Sequence, residues 1–406
     1  MPQTAANFAI RTLTLMHDFQ PLEIVEVRHE TPEAISVVLA VPEGLREAFR
    51  FRPGQHLPVR AMIGGTEQRR TYSICSRTVD TTLRIAIKRV AEGCFSNWAN
   101  DTLAAGQKLE AMPPAGRFVL PEGDGNPRHV VAFAAGVGIT PILAMLRDAL
   151  DHDPATSFTL VYGNRTPASI LFREELEDLK DRHLGRFTLV NVLSRNEESS
   201  APLLEGRITA EKVKALAAGL FKPDDVAHVF LCGPGSMIKE TRAALLELGV
   251  PRERIHHEFF APVGGSPTSR MRGEGRGEGQ PQAAPALGAA SHPRIKSGAG
   301  SGPLPTEGWG EGTAGTEAIA ILDGIRHRFT VPPGGHVVDA ALAAGIRVPY
   351  SCKGGMCCTC RAKLVEGQVE MTLNYSLEPW EMERGFVLTC QAVPKSERLV
   401  VDYDAM

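Results

Sequence analysis

The sequence predicts a multidomain protein that contains an antiparallel β-barrel, an α/β domain with a parallel sheet, and a C-terminal α+β domain. Three observations predict this organisation. Residues 18–122 read as short strands separated by proline and glycine, and residues 123–262 alternate between apolar strands and helices. Residues 317–406 return to short strands around a cysteine-rich loop. Residues 263–316 are rich in Gly, Pro, Ala and Ser, which predicts a flexible linker.

Composition narrows the classes of function. The 406 residues are 43% hydrophobic, enough for cores in about two to four domains. The net charge of −3 does not favour a nucleic-acid or anionic-membrane partner. No apolar run approaches the roughly 18 residues that span a bilayer, and the first residues lack a signal-peptide pattern. We therefore expect a cytoplasmic protein with neither a membrane nor a nucleic-acid partner.

The first domain carries a candidate site on its strands. Segments 22–27, Ala34–Ala40 and 82–90 show alternation or β-branched residues, as strands of a small barrel do. Within it, Arg70 is suited to a phosphate, Tyr72 to stacking on a planar ring, and Ser73 to donating a hydrogen bond. An ordinary strand with a surface arginine and a core tyrosine remains the alternative at this point.

The second domain shows the pattern of a dinucleotide site. An apolar run at 129–135 leads into Gly136, Gly138, Thr140 and Pro141, and then into an apolar helix. Glycines let backbone approach a pyrophosphate, and the helix N-terminus favours its charge. The third glycine of the usual fingerprint is absent, so the motif alone is a weak signal.

Further strands support this interpretation. Segments 158–162, 187–193 and 226–231 read as strands, and 171–179 and 238–248 read as helices, the first with its glutamates at 174, 175 and 177 mostly outward. Because ligands bind beyond the carboxyl ends of parallel strands, we expect turns 136–141, 163–166 and 232–235 to line one crevice. The alternative for each turn alone is a plain connection.

The last domain is built around four cysteines. Cys352, Cys357 and Cys360 have the spacing C-x4-C-x2-C, and Cys390 lies downstream. This is the ligand set of a plant-type 2Fe-2S cluster, and the two glycines after Cys352 permit a tight loop. A zinc site usually shows two cysteine or histidine pairs, and no second pair of that kind is present. The alternatives are free thiols or a disulfide. Around this loop we expect a hairpin at 318–331, a helix at 337–344 and strands at 361–367 and 398–403.

Together these motifs resemble a known family. Arg70–Ser73 matches the R-x-Y-S flavin motif of the ferredoxin–NADP reductase superfamily, and Gly93–Ser96 matches its second FAD loop. Residues 136–141 match the G-x-G-x-T-P nicotinamide loop, and Cys232–Pro234 matches its C-G-P motif. The last 90 residues resemble plant-type ferredoxins of β-grasp fold.

Longer strings narrow the resemblance. FRPGQHL (51–57), YGNRT (162–166), CKGG (352–355), TLNYSLEP (372–379) and VVD (400–402) are similar to the reductase subunits of ring-1,2-phenylacetyl-CoA epoxidases. The resemblance covers the chain apart from the linker and the first residues. Two features depart from the pattern: the long linker, and Cys358 at a position usually held by a small residue other than cysteine.

The resemblance implies a role for each candidate residue. Tyr72 would stack on the flavin, Ser73 would lie near its N5, and Phe260 would cover the opposite face. Other residues would bind the FAD pyrophosphate and the nicotinamide nucleotide. These are Arg70, Lys88, Gly93 and Ser96 for FAD, and Gly136, Gly138, Thr140, Pro141, Asn164, Arg165, Thr166, Cys232, Gly233 and Pro234 for the nucleotide. Arg165 and Thr166 lie where a 2′-phosphate would bind, which favours NADPH over NADH.

The implied activity is electron transfer from NADPH through FAD and the 2Fe-2S cluster to the di-iron oxygenase subunits of a multicomponent complex in aerobic phenylacetyl-CoA degradation. The chain itself shows no Glu-x-x-His pairs of the di-iron bundle type, so the oxygenation is expected on another subunit. Two alternatives stay open: a reductase for another aromatic or CoA-ester oxygenase, and a non-enzymatic redox sensor.

Overall fold

The computed structural model describes residues 18–195, 201–260, 295–296, 315–377 and 379–405. The chain divides into two compact units, one ending at Phe260 and the other beginning at Ala261. Within the described ranges, no helix is both long enough and apolar enough to cross a membrane.

The first half of the N-terminal unit is an antiparallel sheet that curls on itself. Its strands are β1 (Gln20–Thr31), β2 (Ala34–Ala40), β3 (His56–Ile63), β4 (Thr66–Ser73), β5 (Thr82–Lys88) and β6 (Lys108–Ala111), with helix α1 (Cys94–Thr102) after β5. The strand order is β4-β3-β6-β1-β2-β5. A bridge between Ile74 and Ile85 joins the two edges, which confirms the predicted barrel.

The second half of this unit is a five-stranded parallel sheet. Its strands are β7 (Arg128–Ala135), β8 (Thr156–Asn164), β9 (Phe187–Leu193), β10 (Val226–Gly233) and β11 (Ile255–Phe259), in the order β11-β10-β7-β8-β9. Its helices are α2 (Ile139–His152), α3 (Arg173–Arg182), α4 (Ala210–Leu220) and α5 (Gly235–Glu247). All four strand pairings are parallel, as the alternation of strands and helices predicted.

Strand β7 shows why this sheet is covered on both faces. Val130 and Ala132 belong to the core formed with α2 and α3, whereas Val131 and Phe133 belong to the core formed with α4 and α5. Successive side chains of a strand point to opposite faces, so a continuous apolar run requires helices on both sides.

Two of the three glutamates of helix α3 point outward, as expected, and the third does not. Glu174 and Glu177 are exposed, but Glu175 points inward, with its side chain 26% exposed. Its carboxylate accepts two hydrogen bonds from Arg84 of the barrel, at 2.6 and 2.8 Å, and another from Arg147 of α2. Burial is the largest single effect and would raise the pKa of Glu175, but the hydrogen bonds from Arg84 and the charges of Arg84 and Arg147 together lower the pKa. This ion cluster therefore joins the two halves of the unit.

The C-terminal unit contains two sheets. Strands β13 (Thr316–Leu322), β14 (Ile325–Val331), β15 (Arg361–Glu366), β17 (Phe386–Leu388) and β19 (Arg398–Asp402) form one sheet, in the order β14-β13-β19-β15-β17. Strands β12 (Ile295–Lys296), β16 (Gln368–Met371) and β18 (Ala392–Pro394) form the other. Helices α6 (Val337–Ala343) and α7 (Pro379–Glu383) complete the unit.

The predicted hairpin is present, with β13 and β14 paired in antiparallel register across Asp323 and Gly324. Most of the predicted linker at 263–316 lies outside the described residues. Two residues inside that range, Ile295 and Lys296, form strand β12, which pairs with β16.

Candidate functional site

Strand β4 presents the candidate flavin residues along one edge of the barrel. Arg70 donates to the carbonyl of Arg69 at 2.6 Å and to the side-chain oxygen of Gln68 at 3.3 Å. Both partners are neutral, so they do not cancel the positive charge of Arg70, and this charge can attract a phosphate. The Tyr72 ring lies 5.8 Å from the ring of Phe95, and burial raises the pKa of its hydroxyl. Tyr72 therefore stays uncharged and suits an aromatic contact.

Polar side chains from both halves of the unit meet at Ser73. The Ser73 hydroxyl donates to Glu258 Oε2 at 3.4 Å, and His56 Nδ1 lies 3.7 Å from Glu258 Oε1. Register explains the convergence, because His56 pairs with Ser73 across β3 and β4, and Cys232 pairs with Glu258 across β10 and β11. Burial, together with the Glu258 charge, raises the pKa of Cys232 well above its ordinary value. Cys232 is therefore a neutral thiol in this cluster.

Sequence reasoning assigned no role to His56 or Glu258. His56 begins a barrel strand and Glu258 lies in the last strand of the α/β sheet, and no local pattern reveals a contact between residues so far apart in the chain. A weak signal exists for Glu258, which is a carboxylate placed directly before two aromatic residues where the last strand of the sheet ends. The second of these aromatics, Phe260, packs partly buried against the apolar core.

The Gly136 and Cys232 turns are in direct contact. They follow the adjacent parallel strands β7 and β10. A Cβ at Gly138 would lie 2.2 Å from the Cys232 carbonyl oxygen, so only glycine fits there. Gly136 has φ of +53°, and its carbonyl accepts a hydrogen bond from the Tyr162 hydroxyl at 2.9 Å. The three turns thus lie at the carboxyl ends of neighbouring strands, where α/β sheets bind nucleotides.

The remaining nucleotide-loop residues shape the start of each helix. The Thr140 hydroxyl donates to the Val137 carbonyl at 3.0 Å in the first turn of α2, where Pro141 is also buried. Pro234 is the N-cap residue of α5 and follows Gly233, at which a Cβ would lie 2.8 Å from the side chain of Met237. These contacts leave both helix N-termini at the crevice, where their backbone N–H groups favour an anion.

The turn after β8 carries the candidate 2′-phosphate residues. Asn164 is buried at 8% exposure, whereas Arg165 is exposed. The Ser169 hydroxyl accepts from the backbone N–H groups of both Arg165 and Thr166, at 3.1 and 3.0 Å. The turn is thus fixed by its own hydrogen bonds, and it holds the Arg165 guanidinium at the surface at the end of the strand.

Hydrogen bonds of Ser96 hold the second FAD loop together. Ser96 accepts from the Val90 N–H at 3.2 Å and donates to the Gly93 carbonyl at 3.4 Å. Gly93 is the N-cap residue of α1, and a Cβ there would lie 2.5 Å from the Ser96 hydroxyl. Lys88 lies 3.4 Å from Glu33 at the barrel surface. In this structure Ser96 shapes the loop, and Lys88 has an acidic neighbour.

The four candidate cluster cysteines form two pairs. Cys352 hydrogen-bonds with Cys357, and Cys360 with Cys390; all four are free of disulfides. Within each pair one thiol pKa is lowered and the other raised, because one sulfur accepts the proton that its partner keeps. The hydrogen bond from Cys357 lowers the pKa of Cys352 to about 5.

This pairing fits a centre with two metal ions. Two iron ions, each held by one cysteine pair and joined by sulfides, match the donor set. The loop is shaped for this task, because Gly355 has φ of +73° and a Cβ there would lie 3.0 Å from the Leu373 carbonyl oxygen. The chemistry of the donors and the crowding of the loop therefore fit a 2Fe-2S cluster.

Three protein-family models match the chain. The oxidoreductase FAD-binding domain matches residues 21–120, and the oxidoreductase NAD-binding domain matches residues 133–243. The 2Fe-2S iron-sulfur cluster binding domain matches residues 320–395. These matches coincide with the barrel, the parallel sheet and the cysteine-bearing unit.

Two relatives align over nearly their whole length. One component of the 1,2-phenylacetyl-CoA epoxidase of Escherichia coli K12 is 37% identical over 392 residues, covering 96% of this chain and 99% of the relative. The ferredoxin reductase component of 3-ketosteroid-9-alpha-monooxygenase of Rhodococcus rhodochrous is 34% identical, covering 94% and 96%. The solved structure of phthalate dioxygenase reductase is similar in fold, with a TM-score of 0.53 and 21% identity over 95% of this chain and 98% of that one.

Proposed function

We propose, from the premise that this chain belongs to the family of FAD- and NAD(P)-binding oxidoreductases with a fused 2Fe-2S ferredoxin domain, that it supplies electrons from NADPH to the di-iron oxygenase of phenylacetyl-CoA degradation. As a member of this family it is an NAD(P)H-dependent reductase of a multicomponent oxygenase system, with FAD and a 2Fe-2S cluster as cofactors. The proposal concerns the nucleotide, the residue roles and the electron acceptor.

The roles proposed at the flavin come from the family resemblance, and the polar cluster around Ser73 supports the role of that serine. FAD, when bound, takes a hydride from the nicotinamide and passes electrons singly to the iron–sulfur cluster. The Tyr72 ring would lie along one flavin face, and Phe260 would cover the other. The Ser73 hydroxyl, whose proton is directed to Glu258, would lie close to the flavin N5, and the neutral Cys232 thiol would border the nicotinamide. Glu258 thereby orients the serine, and His56 lies beside the second carboxylate oxygen.

Arg70 is the principal phosphate ligand of FAD in this proposal. Its hydrogen bonds to neutral oxygens support that role, since they orient the guanidinium without cancelling its charge. Ser96 acts through the shape of its loop, and Lys88 reaches the phosphates by leaving Glu33, a partner whose side chain is 55% exposed. A surface ion pair of this kind is weak enough to exchange.

NADPH is favoured as the electron donor by the turn after β8. The exposed Arg165 guanidinium is planar and always charged, which suits bidentate binding of a 2′-phosphate. No acidic residue follows Tyr162 directly, where a carboxylate would bind the ribose hydroxyls of NADH. The comparison that tests this is kcat/KM for NADPH against NADH in the parent and in Arg165→Ala. We expect Arg165→Ala to lose most of the preference and to retain activity with NADH.

The single observation that carries the proposed acceptor is the end-to-end similarity to the phenylacetyl-CoA epoxidase component. The test combines the full chain with a phenylacetyl-CoA oxygenase complex and follows NADPH consumption with and without phenylacetyl-CoA. Product formation coupled to NADPH oxidation is the expected result. Fast reduction of cytochrome c without coupled product would keep the reductase and reject this acceptor.

The second candidate acceptor is a 3-ketosteroid oxygenase component. It is favoured by the steroid monooxygenase relative, whose sequence identity to this chain is only slightly lower than that of the epoxidase component over a similar length. The same assay with a 3-ketosteroid oxygenase component separates the two, because a reductase matched to one partner supports that turnover more efficiently. A redox sensor that does no hydride transfer is the remaining alternative. It predicts no NADPH-dependent cytochrome c reduction by the FAD- and cluster-loaded protein.

A further inference from the structure

The residue after the fourth cysteine, Gln391, lies at a junction in the C-terminal unit. It is 5% exposed, and its side-chain amide Nε2 donates to the Lys353 carbonyl at 2.8 Å. The same nitrogen lies 3.7 Å from the sulfur of Cys390. Its Oε1 accepts from the Thr372 hydroxyl at 2.6 Å. One buried amide thus contacts the three-cysteine loop, the segment after β16 and the fourth cysteine.

The orientation of this amide is fixed by its partners. Because the Thr372 hydroxyl donates to Oε1, the NH₂ group must point toward Lys353 and Cys390. Thr372 is itself held, since its backbone N–H donates to the Gln391 carbonyl at 2.9 Å. The side chain also fills the space beside the loop, with Cγ 3.2 Å from the position that a Cβ would take at Gly355. The amide is therefore both buried and directional.

We propose that Gln391 is a positioning residue that raises the reduction potential of the 2Fe-2S cluster by directing an amide N–H at the Cys390 sulfur and by tying that cysteine to the Lys353 loop. The inference rests on the proposed function only in requiring the cluster. Hydrogen bonds to cysteine sulfur stabilise the reduced, more negative cluster, and they are among the determinants of its potential. Gln391 thus helps set how readily this module accepts electrons.

The test is a mediated potentiometric titration of the full FAD- and cluster-loaded chain, followed by electron paramagnetic resonance of the reduced cluster. Gln391→Met removes the N–H donor at similar size, and Gln391→Glu replaces it with an acceptor. We expect Gln391→Met to lower the equilibrium constant for one-electron reduction about tenfold, or about 59 mV, and Gln391→Glu to lower it further. The titration needs neither NADPH nor an oxygenase, so its outcome is independent of the proposed electron acceptor.

Two control variants distinguish an effect on the reduction potential from an effect on the stability of the cluster loop. Gln368→Met makes the same change on β16 and should leave the potential unaltered. Thr372→Val removes the partner of Oε1 but keeps the N–H donor, and should shift the equilibrium constant less than threefold. A merely structural role would change the fraction of chains that hold a cluster without moving the potential of that fraction. An unchanged potential in Gln391→Met would overturn the proposal.

A measurement on the unmodified protein covers the case in which the variants lose the cluster. Protein labelled with ¹⁵N in the glutamine side-chain amides is reduced and studied by pulsed electron paramagnetic resonance. The amide nitrogen beside Cys390 should give a resolved ¹⁵N coupling to the cluster spin. Absence of that coupling in the loaded protein would contradict the proposal.

Discussion

Replacing Gly138 with alanine should displace the nucleotide turn from the end of β10. The added Cβ would lie 2.2 Å from the Cys232 carbonyl oxygen, 2.6 Å from its carbon and 3.0 Å from the Gly233 nitrogen. All three atoms are backbone, so no side-chain rotation relieves the overlap. The turn must move by roughly 1 Å, and overpacking of this kind costs about 1–3 kcal/mol.

The affected property is binding of the nicotinamide nucleotide. Each 1.4 kcal/mol is a tenfold change in a binding constant. The Kd for NADP⁺ should therefore be at least about tenfold higher in Gly138→Ala than in the parent. Isothermal titration calorimetry on the FAD- and cluster-loaded protein measures this directly, with flavin and iron content as checks on loading.

Two other glycines provide matched controls. Gly136 has φ of +53° but open space around it, so Gly136→Ala tests backbone strain alone, at about 1–2 kcal/mol. Gly219 lies in α4 with nothing within 4 Å, so Gly219→Ala should leave binding unchanged and stabilise the helix by up to about 1 kcal/mol. If Gly138→Ala matched the parent in both NADP⁺ affinity and Tm, the close approach would not constrain the site.

Three further predictions follow from buried or strained groups. Glu175→Gln leaves Arg84 and Arg147 without their carboxylate partner, and should lower the free energy of unfolding by about 3 kcal/mol in a urea titration. No change would mean that the ion pairs of Glu175 do not contribute to stability. Burial lowers the pKa of His256 to about 4 from 6.5, so between these pH values the unfolded chain binds more protons than the folded one. The free energy of unfolding should therefore fall as the pH drops from 6.5 to 4, by about 3 kcal/mol in full. His256→Phe should remove this contribution to the pH dependence. If the free energy of unfolding of the parent did not change over this pH range, the lowered pKa of His256 would be refuted. Cys358 has φ of +55°, so Cys358→Gly should retain the cluster with the same absorbance per chain and raise the Tm, and loss of iron would show that the thiol is needed.

Much of the fold could be predicted from local patterns. Strands Ala34–Ala40 and Phe187–Leu193 were predicted with the bounds that the structure has, because β-branched and apolar residues fill them and turns flank them. The bounds of strand β4 (Thr66–Ser73) were not predicted, since its sequence TEQRRTYS shows no apolar alternation. Its position depends on pairing with β3, which is a tertiary effect.

Some residues of the candidate sites could likewise be predicted from local sequence, and others could not. Cysteine spacing predicted the four candidate sulfur ligands, because three of them lie in one loop. Pairing of β3 with β4 places His56 beside Ser73, and only the meeting of the two sheets brings Glu258 to these two residues. The inward position of Glu175 could not be predicted, because a short charged helix gives no sign of an arginine partner in the barrel.

The central claim is that electrons pass from the nicotinamide through FAD to the iron–sulfur cluster within this one chain. The direct measurement is anaerobic mixing of the FAD- and cluster-loaded protein with NADPH, followed by flavin absorbance and by electron paramagnetic resonance of frozen samples. The account predicts flavin bleaching followed by a reduced-cluster signal that approaches one spin per chain. Flavin reduction with a cluster that stays oxidised, while dithionite still reduces it, would contradict the account.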